Sequence, residues 1–214
     1  MKSYTIHLIR HALTKANLEA RYVGHTDVPL CTKGIEQIKQ IKKAKEYPKV
    51  DFVFSSPLKR SVDSAKLIYP DKTPVIIDDF IEYNFGEFEM CTAEDLRDSK
   101  EFAEWLHGDV NSRTPHGESN AEFAHRVCAA FEKVVEGLIK TGTTSAAIVS
   151  HAGVLMTILS AYGIPEAPMN QWQMDNGYGY TVRITPSIWM RSNKIEVIDT
   201  CPFTLDELRN GDAE

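Results

Sequence analysis

The segment IHLIRHALTKAN, residues 6–17, places an arginine and a histidine directly after a short apolar stretch. We predict a buried strand over residues 3–9, followed at once by a polar turn. Arg10 and His11 then stand at the carboxyl end of that strand. The role of this pair depends on which other strands end beside it.

Predicted strands and helices alternate along most of the chain. Pro57 is typical of the first turn of a helix, and Ser119-Asn-Ala-Glu122 is a capping box. Further strands are predicted over residues 51–56, 74–78 and 146–150, and helices over residues 32–46, 57–68, 120–140 and 153–162, with short helices within 92–107. Residues 178–185 and 194–199 alternate in polarity and are predicted as late strands, with an edge position open for both.

This alternation predicts an α/β protein, a three-layer α/β/α sandwich around a mostly parallel central sheet. No repeat, low-complexity run or linker interrupts the chain, so we expect a single domain over residues 1–214. The motifs described below fall within about residues 4–163. Residues 201–214 form an acidic C-terminal tail whose role the sequence leaves open.

The composition argues against several classes of function. A net charge of −6 gives no overall basic field that would attract nucleic acid or an anionic membrane. The four cysteines lack the spacing of a zinc site or a disulfide framework and favour reduced thiols in the cytoplasm. No signal peptide is expected at the N-terminus. The uncharged residues 145–163 carry Ser150 and His151 in their middle, so a strand, a polar turn and a buried helix explain them better than a membrane span.

In a mostly parallel sheet, ligands bind beyond the carboxyl ends of the strands. Four predicted strands lead into polar side chains that this rule brings to one rim. These side chains are Arg10 and His11, Ser55 and Ser56 with Arg60 behind them, Glu82, and Ser150 with His151. We therefore expect one site at this rim, built from two histidines, two arginines and a carboxylate.

Those residue types suit phosphoryl transfer. Arginine presents a planar fork that matches phosphate oxygens, and a neutral imidazole can attack phosphorus to form a covalent intermediate. Two arginines and a protonated histidine would stabilise the developing charge without a metal ion. A carboxylic acid nearby could protonate the leaving oxygen, because a neighbouring phosphate dianion raises the pKa of that acid.

Each of these residues taken alone has an ordinary structural explanation. Arg10 fits a cation at a strand end, His11 fits a turn residue, and Arg60 fits a solvated residue in the first turn of a helix. Glu82 alone is uninformative. His151 is harder to explain in this way, since it interrupts the most apolar stretch of the chain and a buried histidine needs a partner. The joint placement of the five favours a functional site.

Six segments follow one another in a characteristic order: LIRHALTKAN (8–17), DVPLCTKG (27–34), SSPLKRSVDSA (55–65), EYNFGEFE (82–89), PHGES (115–119) and VSHAG (149–153). The first four resemble R-H-G-x-T-x-x-N, D-x-P-L-T-x-x-G, S-S-P-L-x-R-A-x-x-T-A and E-x-x-F-G-x-x-E-G. Any one motif is weak, but the ordered set is highly specific. It resembles the histidine phosphatase superfamily, in its phosphoglycerate-mutase-like branch.

The resemblance implies a role for each matching residue. His11 would be the nucleophile that becomes phosphohistidine, and Glu82 the proton donor to the leaving group and later the base for water. Arg10 and Arg60 would clamp the phosphoryl oxygens, and His151 would stabilise their charge. Further phosphate-binding candidates are Asn17, the backbone N–H of Ala152 or Gly153, Thr14, Gly24 and His116. No metal ion or other cofactor is implied.

The chain departs from the family pattern beside the pocket. Ala12 replaces the glycine that usually follows the nucleophile. Met90 follows Glu89, where the motif E-x-x-F-G-x-x-E-G commonly ends in glycine. With Ala12, the backbone at this position must have a conformation that an L-residue can adopt, and there is less space beside the phosphate. Neither change removes a chemical group from the pocket, so we expect an effect on substrate fit rather than on activity.

The resemblance leaves a phosphatase and a cofactor-dependent phosphoglycerate mutase as alternatives. Family mutases carry E-R-x-Y-G and paired arginines that grip a second phosphate. This chain has EYNFGE, and the cations Arg97, Lys100 and Arg113 are scattered among acids. We therefore expect a phosphomonoesterase acting on a small phosphorylated metabolite. Phosphatases of this form include enzymes for α-ribazole phosphate and broad-specificity phosphatases, and the sequence does not choose between them.

Five large side chains near Glu82 bear on the substrate. They are Tyr83, Phe85, Phe88, Met90 and Trp105. They either form an apolar wall for the alcohol half of the substrate or belong to the core, and the sequence leaves both interpretations open.

Three rival interpretations have less support. Cys91 and Arg97 have the spacing of a cysteine-dependent phosphatase loop, but acidic residues inside it disfavour a thiolate. His7 and His11 have the spacing of helical metal ligands, but they lie across a strand and a turn. A catalytically silent phosphate-binding protein would have lost a pocket residue, and all five are present. The oligomeric state is open.

Overall fold

The computed structural model describes residues 2–207. Its strands are β1 (Tyr4–Arg10), β2 (Phe52–Ser55), β3 (Val75–Ile76), β4 (Ser145–Ser150), β5 (Gly163–Ile164), β6 (Gly179–Ile184) and β7 (Ile195–Cys201). Its α-helices are α1 (Lys15–Leu18), α2 (Thr32–Ala44), α3 (Lys59–Ile68), α4 (Lys100–Leu106), α5 (Asn120–Thr141), α6 (Ala152–Tyr162) and α7 (Pro186–Ser192). Short 3₁₀ turns occur at Asp78–Phe80, Gly86–Phe88 and Met169–Gln171.

The seven strands form one sheet in the order β3-β2-β4-β1-β6-β7-β5. Strands β1 to β4 pair in parallel, whereas β6 is antiparallel to both β1 and β7. Arg10 of β1 lies beside Ser150 of β4, and Ser55 of β2 lies beside Val149. The carboxyl ends of these three strands therefore meet at one rim, as the sequence predicted.

Helices cover both faces of the sheet. On one face, Phe131 of α5 and Ile158 of α6 pack in a core with Ile148 of β4. On the other face, Ile38 of α2 packs in a second core with Val149 of β4. Successive residues of β4 are thus buried on opposite faces, as expected for a parallel strand covered on both sides. The predicted three-layer sandwich is confirmed.

The longest helix follows its sequence signals. The Ser119 side chain accepts a hydrogen bond from the Glu122 N–H, and the Glu122 carboxylate accepts one from the Ser119 N–H. Gly142, at φ +73°, ends α5 in the left-handed conformation that glycine adopts freely. The uncharged residues 145–163 contain β4 and α6, as predicted. Within residues 2–207, no helix has both the length and the apolar character needed to cross a membrane.

The structure corrects several element predictions. An edge position is wrong for both late strands, because β6 lies between β1 and β7 and the edges are β3 and β5. Only α4 forms an α-helix within residues 92–107, since the Thr92 and Asp95 side chains bond to each other and to the backbone in a turn. The helix predicted from Pro57 begins at Lys59, and the third strand is shortened to Val75–Ile76. Helices α1 and α7 and strand β5 were not predicted.

The predicted acidic tail is described only in part. Glu207 forms an ion pair with Lys45, the residue that follows α2, and its carboxylate accepts a hydrogen bond from the Thr204 N–H at 2.8 Å. The rest of the tail, residues 208–214, lies outside the described residues.

Candidate active site

His11 directly follows β1 and is buried at the rim of the sheet. Its N–H donates to the Ser150 carbonyl at 2.8 Å, and its carbonyl accepts from Asn176 Nδ2 at 2.8 Å. The ring Nδ1 lies 2.7 Å from the Ala12 carbonyl oxygen. Because a carbonyl only accepts, Nδ1 carries the proton of the neutral ring, and Nε2 keeps a free lone pair.

The surroundings of His11 keep its ring uncharged. Burial is the main reason that the pKa of His11 lies well below its usual value. The positive charges of Arg60 and Arg10 lower this pKa further, while the hydrogen bond to the Ala12 carbonyl opposes the shift. A neutral imidazole with a free Nε2 lone pair is the form that can act as a nucleophile.

His151 is the N-cap residue of α6, and its ring lies against that of His11. It is fully buried, and its ring meets the His11 ring edge-on with 5.2 Å between the centroids. Its Nε2 lies 2.7 Å from Ser56 Oγ, whereas its buried Nδ1 has no hydrogen-bond partner among residues 2–207. Burial, followed by the charge of Arg60, lowers the pKa of His151 well below its usual value. A buried nitrogen of this kind suits an oxygen atom of a bound anion.

Two arginines reach the same rim. Arg60, in the first turn of α3, is 1% exposed and donates to the carbonyls of Thr26 at 2.9 Å and Gly24 at 2.7 Å. Arg10 donates through Nη1 to the Met174 carbonyl at 2.8 Å, and its buried Nε has no partner in the described part of the chain. Neutral carbonyls fix the position of both guanidinium groups without cancelling their charge, so that charge remains available to an anion.

Burial also acts on the arginines. It lowers the pKa of Arg10 and of Arg60, and the negative charge of Glu82 partly offsets the shift for both. Arginine nevertheless stays protonated in proteins. The rim therefore concentrates two positive charges in a chain whose net charge is −6, which is the local cluster that an anionic ligand needs.

Glu82 lies between two 3₁₀ turns and is 8% exposed. Its carboxylate accepts from the Tyr83 N–H at 2.9 Å and from the Gly153 N–H at 3.0 Å. Burial raises the pKa of Glu82, while these two hydrogen bonds and then the charge of Arg60 oppose the rise. A carboxyl group whose pKa is raised keeps its proton to higher pH and is suited to general acid catalysis.

A side chain at position 153 would displace the Glu82 carboxylate. A Cβ atom there would lie 2.4 Å from Glu82 Oε1, which is far inside contact distance. The absence of a side chain therefore lets the first turn of α6 approach the carboxylate. The neighbouring Ala152 lines the cavity described below. Its N–H belongs to the first turn of the helix, where N–H groups have no intrahelical partner.

Thr14 and Asn17 form a capping box at the start of α1. Thr14 Oγ1 donates to Asn17 Oδ1 at 2.9 Å and accepts from the Asn17 N–H at 3.2 Å. Asn17 Oδ1 also accepts from the Thr14 N–H at 3.0 Å. These bonds occupy the Thr14 hydroxyl but not the Nδ2 group of Asn17, so Asn17 is the better placed of the two to bind phosphate.

Gly24 and His116 occupy different positions relative to the cluster. The Gly24 carbonyl accepts from Arg60, and its N–H donates to the Glu89 carboxylate at 3.1 Å, so Gly24 supports the arginine through its backbone. His116 is exposed, with Nε2 at 3.1 Å from Glu87 Oε1. It borders a separate cavity of about 300 Å³. The residues brought together at the strand ends therefore do not include His116.

A cavity of about 960 Å³ opens beside Glu82. Its wall is mainly apolar and includes Tyr83, Phe85, Trp105, Val110, Phe123 and Met156. Tyr83 also belongs to the core, and Phe85 and Trp105 pack against it, so both interpretations of the aromatic residues apply to these three. Phe88 belongs to another buried cluster, and Met90 is not part of the cavity wall.

Ala12 fits at the position where the family motif R-H-G-x-T-x-x-N has glycine. It is fully buried and does not have a positive φ, so the L-residue adds no backbone strain. Its N–H donates to Ser64 Oγ at 2.8 Å, and that hydroxyl donates to the Arg60 carbonyl at 2.6 Å. Ser64, which differs from the family pattern, thereby connects the nucleophile loop to the helix of Arg60.

Three supporting residues were given no role from the sequence, although Ser56 was placed at the predicted rim. Ser56 holds His151, Asn176 holds His11, and Glu89 accepts hydrogen bonds from the backbone N–H groups of residues 24–26. Ser56 and Glu89 lie inside the matched motifs, which could have indicated them. Asn176 lies in a stretch without a recognised motif, so only the folded chain reveals its contact.

A sandwich of this kind, with a histidine and two arginines gathered at one rim of its parallel strands, fits the class of enzymes that act on phosphoryl groups. The family model of the histidine phosphatase superfamily (branch 1) matches residues 6–191, and the chain belongs to this family. The predicted family and its phosphoglycerate-mutase-like fold are confirmed.

Relatives and solved structures agree with this assignment. The adenosylcobalamin/alpha-ribazole phosphatase of Escherichia coli K12 is 31% identical over 176 residues, which are 79% of this chain and 85% of the relative. The alpha-ribazole phosphatase of Shigella flexneri superimposes with a TM-score of 0.74 at 27% identity, covering 91% of this chain and 94% of that one. A phosphoglycerate mutase of Thermus thermophilus gives a TM-score of 0.66 at 26% identity, covering 93% of this chain and 99% of that one.

These findings establish the enzyme class. The chain is a phosphatase that acts on a small phosphate ester, and hydrolases of this superfamily need no metal ion. The phosphatase prediction is confirmed, and the mutase alternative is not better supported.

Proposed function

We propose that the reaction runs in two steps through phosphorylated His11. In the first step, Nε2 attacks phosphorus, the P–O bond to the alcohol breaks, and Glu82 gives its proton to the leaving oxygen. In the second step, Glu82 takes a proton from water, the water oxygen attacks phosphorus, and the P–N bond breaks to release phosphate. The observation that carries this proposal is the hydrogen bond from His11 Nδ1 to the Ala12 carbonyl, which leaves Nε2 as the free nucleophile.

The remaining groups stabilise the charge of the transferred phosphoryl group. Arg10 and Arg60 act as the fixed cations, and His151 Nδ1 donates a hydrogen bond to an equatorial oxygen. Asn17 Nδ2 and the Ala152 N–H supply further donors. Thr14 acts indirectly through the α1 cap, and Gly24 acts through its carbonyl, which accepts a hydrogen bond from Arg60. For His116 we keep only a peripheral role.

The substrate is a small phosphorylated metabolite with a bulky, largely apolar alcohol half. The mainly apolar cavity beside Glu82 supports this proposal, since it can bury the alcohol next to the proton donor. Among the described residues that line it, only Arg10 carries a positive charge. A second phosphate, which a mutase must grip, would therefore lack a partner. The relatives named as alpha-ribazole phosphatases make the α-ribazole phosphate ester the first candidate.

The deciding experiment is a panel of phosphomonoesters that includes α-ribazole phosphate and 3-phosphoglycerate, scored for phosphate release and for isomer exchange. We expect phosphate release without exchange, and acid-labile phosphate on His11 when the reaction is quenched. His11→Ala should abolish both turnover and labelling while the protein stays folded. Isomer exchange on 3-phosphoglycerate would favour the mutase, and binding of phosphate without turnover would favour the silent phosphate-binding protein.

The cellular location of the protein and its partners are also proposals. We propose a cytoplasmic protein, which the four unpaired thiols support. Neither a nucleic acid nor a membrane is proposed as a partner, in keeping with the net charge of −6.

A further inference from the structure

We infer that Arg126 is a positioning residue for the proton donor, holding the backbone that carries Glu82. This inference rests on the proposed function, since it assumes that Glu82 protonates the leaving oxygen. Arg126 lies in α5 and is absent from the wall of the cavity beside Glu82. Its hydrogen bonds reach the site through the segment that it binds, and its Cζ also lies 4.9 Å from the centre of the Phe123 ring on the cavity wall.

The segment around Glu82 depends on outside donors. Residues 81–85 form neither helix nor strand, so their carbonyls need hydrogen bonds from elsewhere. Arg126 Nη1 donates to the carbonyls of Asp79 at 2.8 Å and Ile81 at 2.7 Å, and Nη2 donates to the Glu82 carbonyl at 2.9 Å. One side chain thus satisfies three carbonyls within four consecutive residues.

The remaining donors of Arg126 bind Glu118. Nε donates to Oε2 at 3.0 Å, and Nη2 donates to Oε1 at 2.7 Å, which is a bidentate pair. All five N–H groups of the guanidinium are therefore used. Glu118 Oε1 also accepts from the Asn84 N–H at 2.7 Å. The pair consequently grips the chain on both sides of Glu82.

The pair is shielded enough to act as a fixed support. The exposed fractions of the two side chains are 19% for Arg126 and 14% for Glu118, so solvent screens their attraction less than that of a surface pair. Lysine can replace the arginine only in part here, because an ammonium group lacks the planar fork and has three donors instead of five. A shift of the backbone would move the Glu82 carboxylate away from the Gly153 N–H that orients it.

The proposed role can be separated from plain fold stabilisation by varying the leaving group. An alkyl alcohol needs a proton as it departs, whereas nitrophenolate leaves without one. The value of kcat/KM reports on all steps up to and including departure of the alcohol. We expect Arg126→Gln to lower kcat/KM for an alkyl phosphate by about 10- to 100-fold, since displacing a catalytic group by about 1 Å can cost 10²-fold. For p-nitrophenyl phosphate the loss should be only a few-fold. Arg126→Lys should show a smaller change of the same kind.

Arg113 provides a matched control. It donates to the carboxylate of Glu122, which lies in α5 like Arg126, at 2.6 Å, and to the Gly117 carbonyl at 2.9 Å. It has no hydrogen bond to a carbonyl of residues 79–82. Arg113→Gln should keep the ratio of the two kcat/KM values at the wild-type level. Glu118→Gln should change the ratio in the same direction as Arg126→Gln, and the double variant should lose less than the product of the two single losses. If Arg126→Gln does not fold, Arg126→Lys and Glu118→Gln carry the test.

The outcomes distinguish this inference from the proposed function. Suppose that Glu82→Gln changes the ratio, but that the Arg126 and Glu118 variants lower kcat/KM equally for both substrates or for neither. The positioning role is then wrong and the mechanism stands. If Glu82→Gln itself leaves the ratio unchanged, or His11→Ala retains turnover, the proposed mechanism fails first.

Discussion

Met90 shows what a single departure from the family pattern costs. It has φ +65°, in the left-handed region that glycine adopts freely. A non-glycine residue there costs about 1–2 kcal/mol, whereas glycine costs about 0.5–1 kcal/mol through its greater freedom in the unfolded chain.

We therefore expect Met90→Gly to increase the free energy of unfolding by about 0.5–1 kcal/mol, measured by urea denaturation. Met90→Ala is the control, because it removes the same side chain but keeps the strained backbone. An equal gain in Met90→Ala would show that the side chain, and not the backbone, is responsible.

His7 connects stability to pH. It is buried in β1, with Nδ1 at 3.0 Å from Thr181 Oγ1, and burial lowers the pKa of His7 from 6.5 to about 4. As the pH falls from 6.5 to 4, the unfolded chain therefore binds a proton that the folded chain refuses, and the free energy of unfolding decreases.

We expect His7→Asn to reduce the dependence of that free energy on pH across this window by up to about 1.4 kcal/mol per pH unit. Asparagine can keep a hydrogen bond to Thr181 without titrating. Urea denaturation at several pH values measures the slope, and an unchanged slope would contradict the assignment.

Individual residues were predictable where a local motif carried them. Arg10, His11, Arg60, Glu82 and His151 all lie in short matched segments that follow the parallel strands, so the sequence predicted one shared site for them. The supporting contacts of Asn176 and Arg126 join segments far apart in the chain. Nothing local in the sequence encodes such pairings.

At the scale of elements, the junction of β4 and α6 should be sensitive to one methyl group. Gly153→Ala would drive a Cβ atom against the Glu82 carboxylate. We expect kcat to fall by about 10²-fold while the melting temperature is kept, since alanine favours the helix over glycine.

Gly137 in α5 is the matched control for that change. A Cβ atom added there would meet no atom within 4 Å. Gly137→Ala should stabilise the protein by up to about 1 kcal/mol and leave kcat unchanged. Full activity in Gly153→Ala would show that Glu82 tolerates displacement.

Elements were predictable when their own residues determine them. The capping box and the apolar face of α5 suffice to define that helix. The alternating pattern of β6 predicts a strand but not its neighbours, because pairing with β1 depends on packing across the whole sheet. The two-residue strand β5 is too short to leave a periodic signal.

For the molecule as a whole, we propose a single domain, as the sequence predicts. Strand β6 pairs with β1 in the same sheet, so an early and a late segment of the chain share hydrogen bonds. Thermal unfolding should give one transition, with equal calorimetric and van't Hoff enthalpies. Two separated transitions would contradict this proposal.

Activity should survive removal of metal ions. The charge-stabilising groups proposed here are side chains and backbone N–H groups of the protein itself. After dialysis against a strong chelator, kcat is expected to equal that of the untreated enzyme. A loss of activity that zinc restores would overturn the proposed mechanism.

The central position of β1 has a consequence for synthesis on the ribosome. Arg10 is bonded to Met174, and His11 to Asn176, while β6 supplies the second neighbour of β1. A nascent chain that ends before these residues carries its nucleophile from the start but cannot finish the pocket around it. Competence for catalysis is therefore delayed until residues 174–184 have been synthesised.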